Sequence, residues 1–384
     1  MRNIFLLVLL FFTSCFSYAQ TFEEIVEMGK SFIDKPEDID SVYLYQLPAR
    51  FCVALTSISQ MTGFFAYADF KFLEYFPSQS LSYLGERMCN KIGAEGGYGS
   101  VSFGYEVELG QKSAAYKRSI GFGLSNLKWG VRFRYFGLQN NIISTMSIQN
   151  PEDNTYILDT TDKSNGLGKM RNFTVNGYYV FNSKRFGYTA TNTINVVQKH
   201  TSGSFMLGAN FMWSDLDTKD DMCGLFESYA TVQFAVGGGY SANIVLWNRD
   251  IVNNDDRTIR NLTFNITATP MVSLLNYMQT RSYVVEMDDQ GNQTETNKKS
   301  DVWCYPAPNI MGSSAISLTW GHVYFTSQFQ FSLMYFSSTG AVNKDKFDAP
   351  DIVIQGYDGR VIDDVKLHGF LYNWSIAAKL FYRF

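Results

Sequence analysis

The chain has 384 residues, a formal net charge of −4, 46% apolar residues and 16% aromatic ones. After the first twenty residues no apolar run is long enough to cross a bilayer as a helix, and no basic run marks a nucleic-acid surface. What remains, with 32 Phe, 24 Tyr and 30 Gly at a slightly negative mean hydropathy, suits strands that alternate between a lipid-facing and a lumen-facing side.

The first residues read as an export signal over 1–19. Met1-Arg2-Asn3 carries the positive charge, Ile4 to Phe12 the apolar core, and Ser17-Tyr18-Ala19 the small-residue cleavage pattern before Gln20. Cys15 offers a competing lipidation reading, although Phe12 stands three residues before it where Leu is usual. Residues 20–47 carry Glu and Asp with few strand signals, so the expectation is a periplasmic N-terminal segment with a short helix over 22–34. The barrel is expected to occupy 48–384.

Strand candidates follow in order. Short ones lie near 48–58, 88–97 and 117–125. Val101, Phe103, Tyr105, Val107 and Leu109 alternate with Ser102, Gly104, Glu106 and Glu108. Trp129, Val131, Phe133 and Tyr135 alternate with Gly130, Arg132 and Arg134, and Phe173, Val175, Tyr179 and Phe181 with Asn172, Thr174 and Asn176. The stretch 185–214 resists division and is read as one bulged upward strand. Ala230, Val232, Phe234, Val236, Tyr240, Ala242, Ile244 and Leu246 keep one parity across Gly237-Gly238-Gly239, which predicts a single curved strand. Leu262 to Leu274 likewise holds its parity through Pro270, which must sit at a bulge or lose a ladder bond.

Ile316, Leu318 and Trp320 then lead through a tight turn at Trp320-Gly321 into Val323, Phe325, Phe329, Phe331, Leu333 and Tyr335. The last segment alternates most cleanly. Its even positions from Phe370 to Phe384 are all apolar or aromatic, and the odd face is polar or small except at Leu371 and Phe381.

With Phe384 on the periplasmic side, the polar stretches 139–168, 215–222, 278–305 and 337–364 fall outside, and Asn182-Ser183-Lys184 falls inside. This short-in, long-out arrangement predicts an all-β, membrane-spanning antiparallel barrel of about twelve strands, within a range of about 10–14.

Leu380, Tyr382 and Phe384 resemble the C-terminal signal read by the barrel-assembly machinery. Three segments resemble a Bacteroidota outer-membrane family known only as a domain of unknown function: Phe32-Ile33-Asp34-Lys35, Gly177-Tyr178-Tyr179-Val180-Phe181-Asn182-Ser183-Lys184-Arg185-Phe186, and Gln198-Lys199-His200-Thr201-Ser202-Gly203-Ser204-Phe205. The resemblance implies a barrel in the cell outer membrane. Its expected partners are membrane lipid, lipopolysaccharide, the assembly machinery and periplasmic chaperones, and it implies no activity.

The candidate chemistry is sparse. Glu106 and Glu108, with Arg132 and Arg134 two strands later, face the lumen across small residues at Ser119, Gly121, Gly123 and Ser125. They form either an internal ion-pair network or a charged constriction. His322, Tyr324, Gln328 and Gln330 are further lumen-facing polar candidates. No serine stands in a strained elbow motif, so no catalytic set is assigned and an outer-membrane hydrolase is kept only as the alternative to a porin-like or structural barrel. Cys52, Cys89, Cys223 and Cys304 show no metal-ligand spacing, the acidic loops lack a calcium motif, and no cofactor or metal is expected. A Cys223–Cys304 disulfide is left open.

Overall fold

A computed structural model describes residues 38–72, 76–84, 88–109, 118–150, 152–153, 155–193, 195–217, 228–249, 259–287, 293–304, 306–337 and 366–384. The expected export signal, Cys15, the helix over 22–34 and Cys223 lie outside the described residues.

The described strands are β1 (Leu44–Gln46), β2 (Phe51–Phe72), β3 (Phe76–Leu84), β4 (Cys89–Tyr98), β5 (Val101–Glu108), β6 (Arg118–Ser125), β7 (Trp129–Gln149) and β8 (Tyr156–Val180). They continue with β9 (Val196–Gln198), β10 (Ser202–Asp217), β11 (Ser228–Arg249), β12 (Arg260–Met287), β13 (Gln293–Trp303), β14 (Pro308–Trp320), β15 (Val323–Ser337) and β16 (Lys366–Arg383). Twelve of them close one antiparallel barrel in the order β2, β4, β5, β6, β7, β8, β10, β11, β12, β14, β15 and β16, with β16 pairing back onto β2. Of the rest, β3 joins β2 to β7 beyond the ends of the short β4, β5 and β6, and β13 extends the ladder of β12. β1 and β9 pair only with each other.

Period-2 patterning builds this wall because successive side chains point to opposite faces. On β16, Ser375, Ala377, Lys379, Phe381 and Arg383 are buried inward while Ile376, Leu380, Tyr382 and Phe384 are exposed. The outer surface repeats this around the ring with Leu55, Phe103, Phe205, Leu207, Leu246, Leu274 and Phe329. Contiguous exposed apolar surface of this extent would be a severe cost in water and suits contact with lipid.

The two ends differ. At one, β4–β5 and β14–β15 are joined by two-residue turns in which Gly99 (φ 52°) and Gly321 (φ 57°) take the left-handed backbone that such hairpins require. Aromatic rings collect near this end, where Trp247 lies 6.4 Å from Trp320 and Tyr382 lies 5.1 Å from Phe384. At the other end the strands run on past the apolar belt. β7 and β8 stay paired to Gln149 and Tyr156, and β12 and β13 to Met287 and Gln293, where polar loops over 139–168 and 278–305 were expected. Strand extensions beyond the lipid need no apolar outer face, so the parity test cannot detect them. For the same reason the short candidate near 48–58 is in fact a strand of 22 residues.

The run Gly237-Gly238-Gly239 lies within the single strand β11, as its unbroken parity requires. Register with β12 is kept from Gly237↔Met271 to Tyr240↔Ala268, and the position opposite Pro270 is left unpaired. The strands approach so closely here that a Cβ on Gly237 would lie 2.0 Å from the Pro270 carbonyl oxygen.

Of the stretch 185–214, read as one bulged strand, only the part from Ser202 onward, which belongs to β10, is a strand of the barrel. Residues 181–201 turn back into the barrel instead. The strand count is unaffected, because this segment replaces a turn and not a pair of strands.

Gly237→Ala is expected to destabilise the barrel by about 1–3 kcal/mol through overpacking. Gly96→Ala, whose added Cβ would meet nothing closer than 4.0 Å, should change stability little. Urea unfolding in detergent micelles followed by tryptophan fluorescence would measure both.

Candidate functional site

At the short-turn end the lumen holds a plug made from two distant pieces of chain. Residues 38–48 supply β1, and 182–201 supply a 3-10 turn at Tyr188–Thr191 and β9. Leu44 packs on Leu127, Ala190 and Val196, and Leu47 packs on inward-facing Ala54, Tyr324 and Phe381. Residues 38–47, assigned by sequence to a periplasmic segment, therefore sit at and inside the barrel mouth.

Buried Gln198 is the hub of this plug. Its side-chain amide donates to the carbonyls of Arg185 (2.8 Å) and His200 (2.9 Å), and its side-chain oxygen accepts from the Gly187 backbone N–H (3.0 Å). Wall residues hold the plug by its backbone carbonyls. Asn243 donates to the Gly187 carbonyl, Asn261 to that of Gln198, Tyr324 to that of Ala190 and Thr326 to that of Thr191, all between 2.8 and 3.0 Å. Arg383 of the last strand donates to the Pro48 carbonyl at 2.7 Å. Buried loop backbone needs such partners. The long polar odd face of β11 and β12 supplies several of them.

Toward the long-loop end the inward face becomes apolar. Phe64, Phe136, Met212, Met278, Met334, Phe336 and Leu371 form one buried cluster. Phe64 on β2 lies 4.9 Å from the ring of Tyr229 on β11 and stacks on Phe336 at 5.5 Å. β2 and β11 stand five strands apart by the shorter way round the ring, so rings from nearly opposite walls meet across the lumen. Cys304 lies within this layer, and among the described residues Cys52, Cys89 and Cys304 form no disulfide.

Between plug and apolar layer lies a chamber of about 260 Å³. Tyr188, Thr189 and Asn192 of the plug form its floor, and Phe136, Met212, Met334 and Leu371 its ceiling. One wall is charged. Arg134 contacts Glu106 at 3.2 Å and also reaches Gln60 and Ser119, each at 3.2 Å. Lys379 contacts Glu95 at 2.6 Å. Arg132 lines the chamber and makes no hydrogen bond or ion pair with the described residues. The opposite wall carries Gln328, Gln330, Ser313 and Thr267.

The structure thus brings Glu106 and Arg134 together, places Arg132 free beside them, and leaves Glu108 apart. Glu108 instead faces Lys91 in the ladder; both are inward-facing, and Lys91 Nζ and Glu108 Oε2 have no hydrogen-bond partner. Gln328 and Gln330 line the chamber, whereas Tyr324 is taken up by the plug. His322 sits in the turn, where its Nδ1 lies 2.9 Å from the Arg383 carbonyl oxygen. Leu380, Tyr382 and Phe384 face outward and are exposed. Lys91, Glu95 and Lys379 were not among the expected site residues. Period-2 reading of 88–97 puts Lys91 and Glu95 on one face, but Lys379, the partner of Glu95, lies on β16 and is brought near only by closure of the ring.

The family model described as a domain of unknown function (DUF4421) matches residues 38–307. The chain belongs to this family. The match takes in both pieces of the plug and strands β1 to β13. Among solved structures, the chain is similar to the outer membrane protease OmpT from Escherichia coli at 10% identity and TM-score 0.36, over 87% of this chain and 97% of that one. It is similar to the beta domain of the Bordetella autotransporter BrkA at 6% identity and TM-score 0.28, over 87% and 100%. A third is the TodX monoaromatic hydrocarbon channel deltaS2 mutant, at 8% identity and TM-score 0.25, over 88% and 91%. At these scores the likeness adds nothing to the strand topology described above. No curated protein sequence matches the chain.

Lys379→Met alone is expected to destabilise the barrel by about 3 kcal/mol, because it takes from the buried Glu95 carboxylate the cation hydrogen-bonded to it. Adding Glu95→Gln should restore most of that loss. A double-mutant cycle from urea midpoints would measure the coupling, and additive single effects would contradict it.

Proposed function

We propose that this protein is an outer-membrane β-barrel that keeps a small-solute chamber sealed at both ends, and is not an open pore. The apolar belt, the aromatic girdle at the short-turn end and the outward-facing Leu380, Tyr382 and Phe384 support the location, as does the resemblance to a Bacteroidota outer-membrane family. In this reading those three residues are what the assembly machinery grips, and the long-loop end faces lipopolysaccharide.

One observation carries the functional reading: the lumen is occupied by a hydrogen-bonded plug below and by aromatic rings meeting across it above. A free passage does not fit that arrangement. Release or uptake of a solute through the short-turn end would require the plug to leave the wall groups that hold it. Plugged lumens are a known solution for barrels too wide to fill with strand side chains.

Refolded protein in planar bilayers is expected to show no steady conductance. Replacing residues 186–200 by a short Gly/Ser turn should give discrete open steps, and Gln198→Leu, which removes the plug's hub, should give intermittent ones. Steady conductance of the unaltered chain equal to that of the plug deletion would overturn the reading.

Ester hydrolysis at the long-loop rim has one observation in its favour, Ser337 Oγ lying 2.8 Å from His368 Nδ1. Tyr335 O–H lies 3.0 Å from the same nitrogen, and Ser337 is the last residue of a regular strand and not part of a strained nucleophile elbow. Refolded protein is expected to hydrolyse no p-nitrophenyl ester in a way that Ser337→Ala abolishes.

A further inference from the structure

The chamber's recognition chemistry is more specific than its existence. Seven charged groups sit on its charged wall and the inward positions beside it: the cations Lys91, Arg132, Arg134 and Lys379 against the carboxylates Glu95, Glu106 and Glu108. The set carries one positive charge in excess. Two cations are held in contact ion pairs and Lys91 faces Glu108 in the ladder, whereas Arg132 lies within electrostatic reach of Glu95 and Glu106 but makes no hydrogen bond or contact ion pair with the described residues.

The neighbours of Arg132 leave room in front of it. Across the ladder its row runs through Gly123 and Ser102 on one side, and through Asn176 and Asn210 on the other. The first two are too small to cover the guanidinium. Asn210 donates to the Asn176 side-chain oxygen at 2.6 Å, and its own side-chain oxygen has no protein partner. Asn172, two residues before Thr174 on the same face of β8, is 1% exposed and has no protein partner for either amide atom. Asn192 presents a third partnerless amide oxygen from the floor. Buried amides without partners are costly, so this concentration in one cavity marks a place that something polar completes. The rings of Tyr178 and Tyr188, 4.5 Å apart, add an aromatic corner.

We propose that the chamber binds one hydroxylated monoanion of monosaccharide size, its oxyanion on Arg132 and its hydroxyls donating to the side-chain oxygens of Asn210, Asn172 and Asn192. Arg132 supplies the forked, permanently charged donor that an oxyanion needs, and the amides discriminate for hydroxyls over an apolar body. The volume of about 260 Å³ admits a single sugar ring and little more. This inference rests on the sealed-barrel reading, since an open lumen would hold no solute. The oxyanion is a carboxylate or a phosphate monoester, which share this chemistry.

Because the chamber is sealed, ligand is supplied during refolding. The full mature chain is refolded in detergent with glucuronate, glucose 6-phosphate or glucose, exchanged into ligand-free buffer, and examined by native mass spectrometry and urea unfolding. The expected result is one glucuronate or one glucose 6-phosphate retained per barrel with a raised unfolding midpoint, and glucose held roughly tenfold more weakly or not at all. A preference for glucuronate assigns a carboxylate, and a preference for glucose 6-phosphate a phosphate. Arg132→Gln, which removes the one cation in excess of the cluster's carboxylates and breaks no contact ion pair, should still fold; it is expected to lose the anion's advantage, and Arg132→Lys to keep part of it. Retention of none of the three, equal retention of all three, or undiminished anion binding by folded Arg132→Gln would overturn the proposal. Conductance of the same preparation separates the two readings: a closed barrel that binds no anion sinks only the ligand, whereas an open wild-type barrel sinks the sealed chamber itself.

Discussion

Closure of the strand ladder from β16 back onto β2 is the constraint on which the rest of the molecule depends. In a bilayer every backbone N–H and C=O of a spanning segment must find its partner within the protein, and only a closed ring leaves no edge. Twelve strands satisfy that requirement but create a second problem. A ring of about eight strands is filled by its own side chains, whereas this one encloses more space than its inward residues can occupy.

The protein meets that problem differently at different depths. Near the short-turn end it folds loop backbone into the lumen and hydrogen-bonds it to inward Asn, Thr and Tyr side chains. Near the long-loop end it lets large apolar side chains, several of them methionines, reach one another across the gap. Flexible thioethers suit such an irregular space. Between these two solutions the wall carries charge, and the charge is tolerated because neighbouring strands supply counter-ions within one or two ladder steps. Glycine and serine on β4, β5 and β6 are part of the same device, since they clear a path along which Arg134 reaches Glu106 and Gln60.

Two odd-face residues of β16 show how these layers are written into the chain. Leu371 and Phe381 interrupt an otherwise small or polar inward face. Leu371 belongs to the apolar layer above the chamber and Phe381 to the cluster around the plug, with Ser375 and Lys379 between them. In a single strand the interruptions look like noise. In the closed ring each stands at the depth where the lumen is filled with apolar matter.

Fold class, the outward face of the strands with clean alternation and the short-turn end could be read from the amino-acid sequence. They rest on period-2 alternation and turn chemistry, which act between residues near in the chain. Leu380, Tyr382 and Phe384, the unbroken passage through Gly237-Gly238-Gly239 and the inward direction of Glu106 and Arg134 were legible for that reason. The plug was not, because 38–48 and 182–201 carry no periodicity and are held by contacts to strands far away in sequence. Nor could the pairing of Lys379 with Glu95, 284 residues earlier, be foreseen. Which polar groups share a chamber depends on the stagger of the ladder and on what fills the lumen above and below, and those are properties of the closed ring alone.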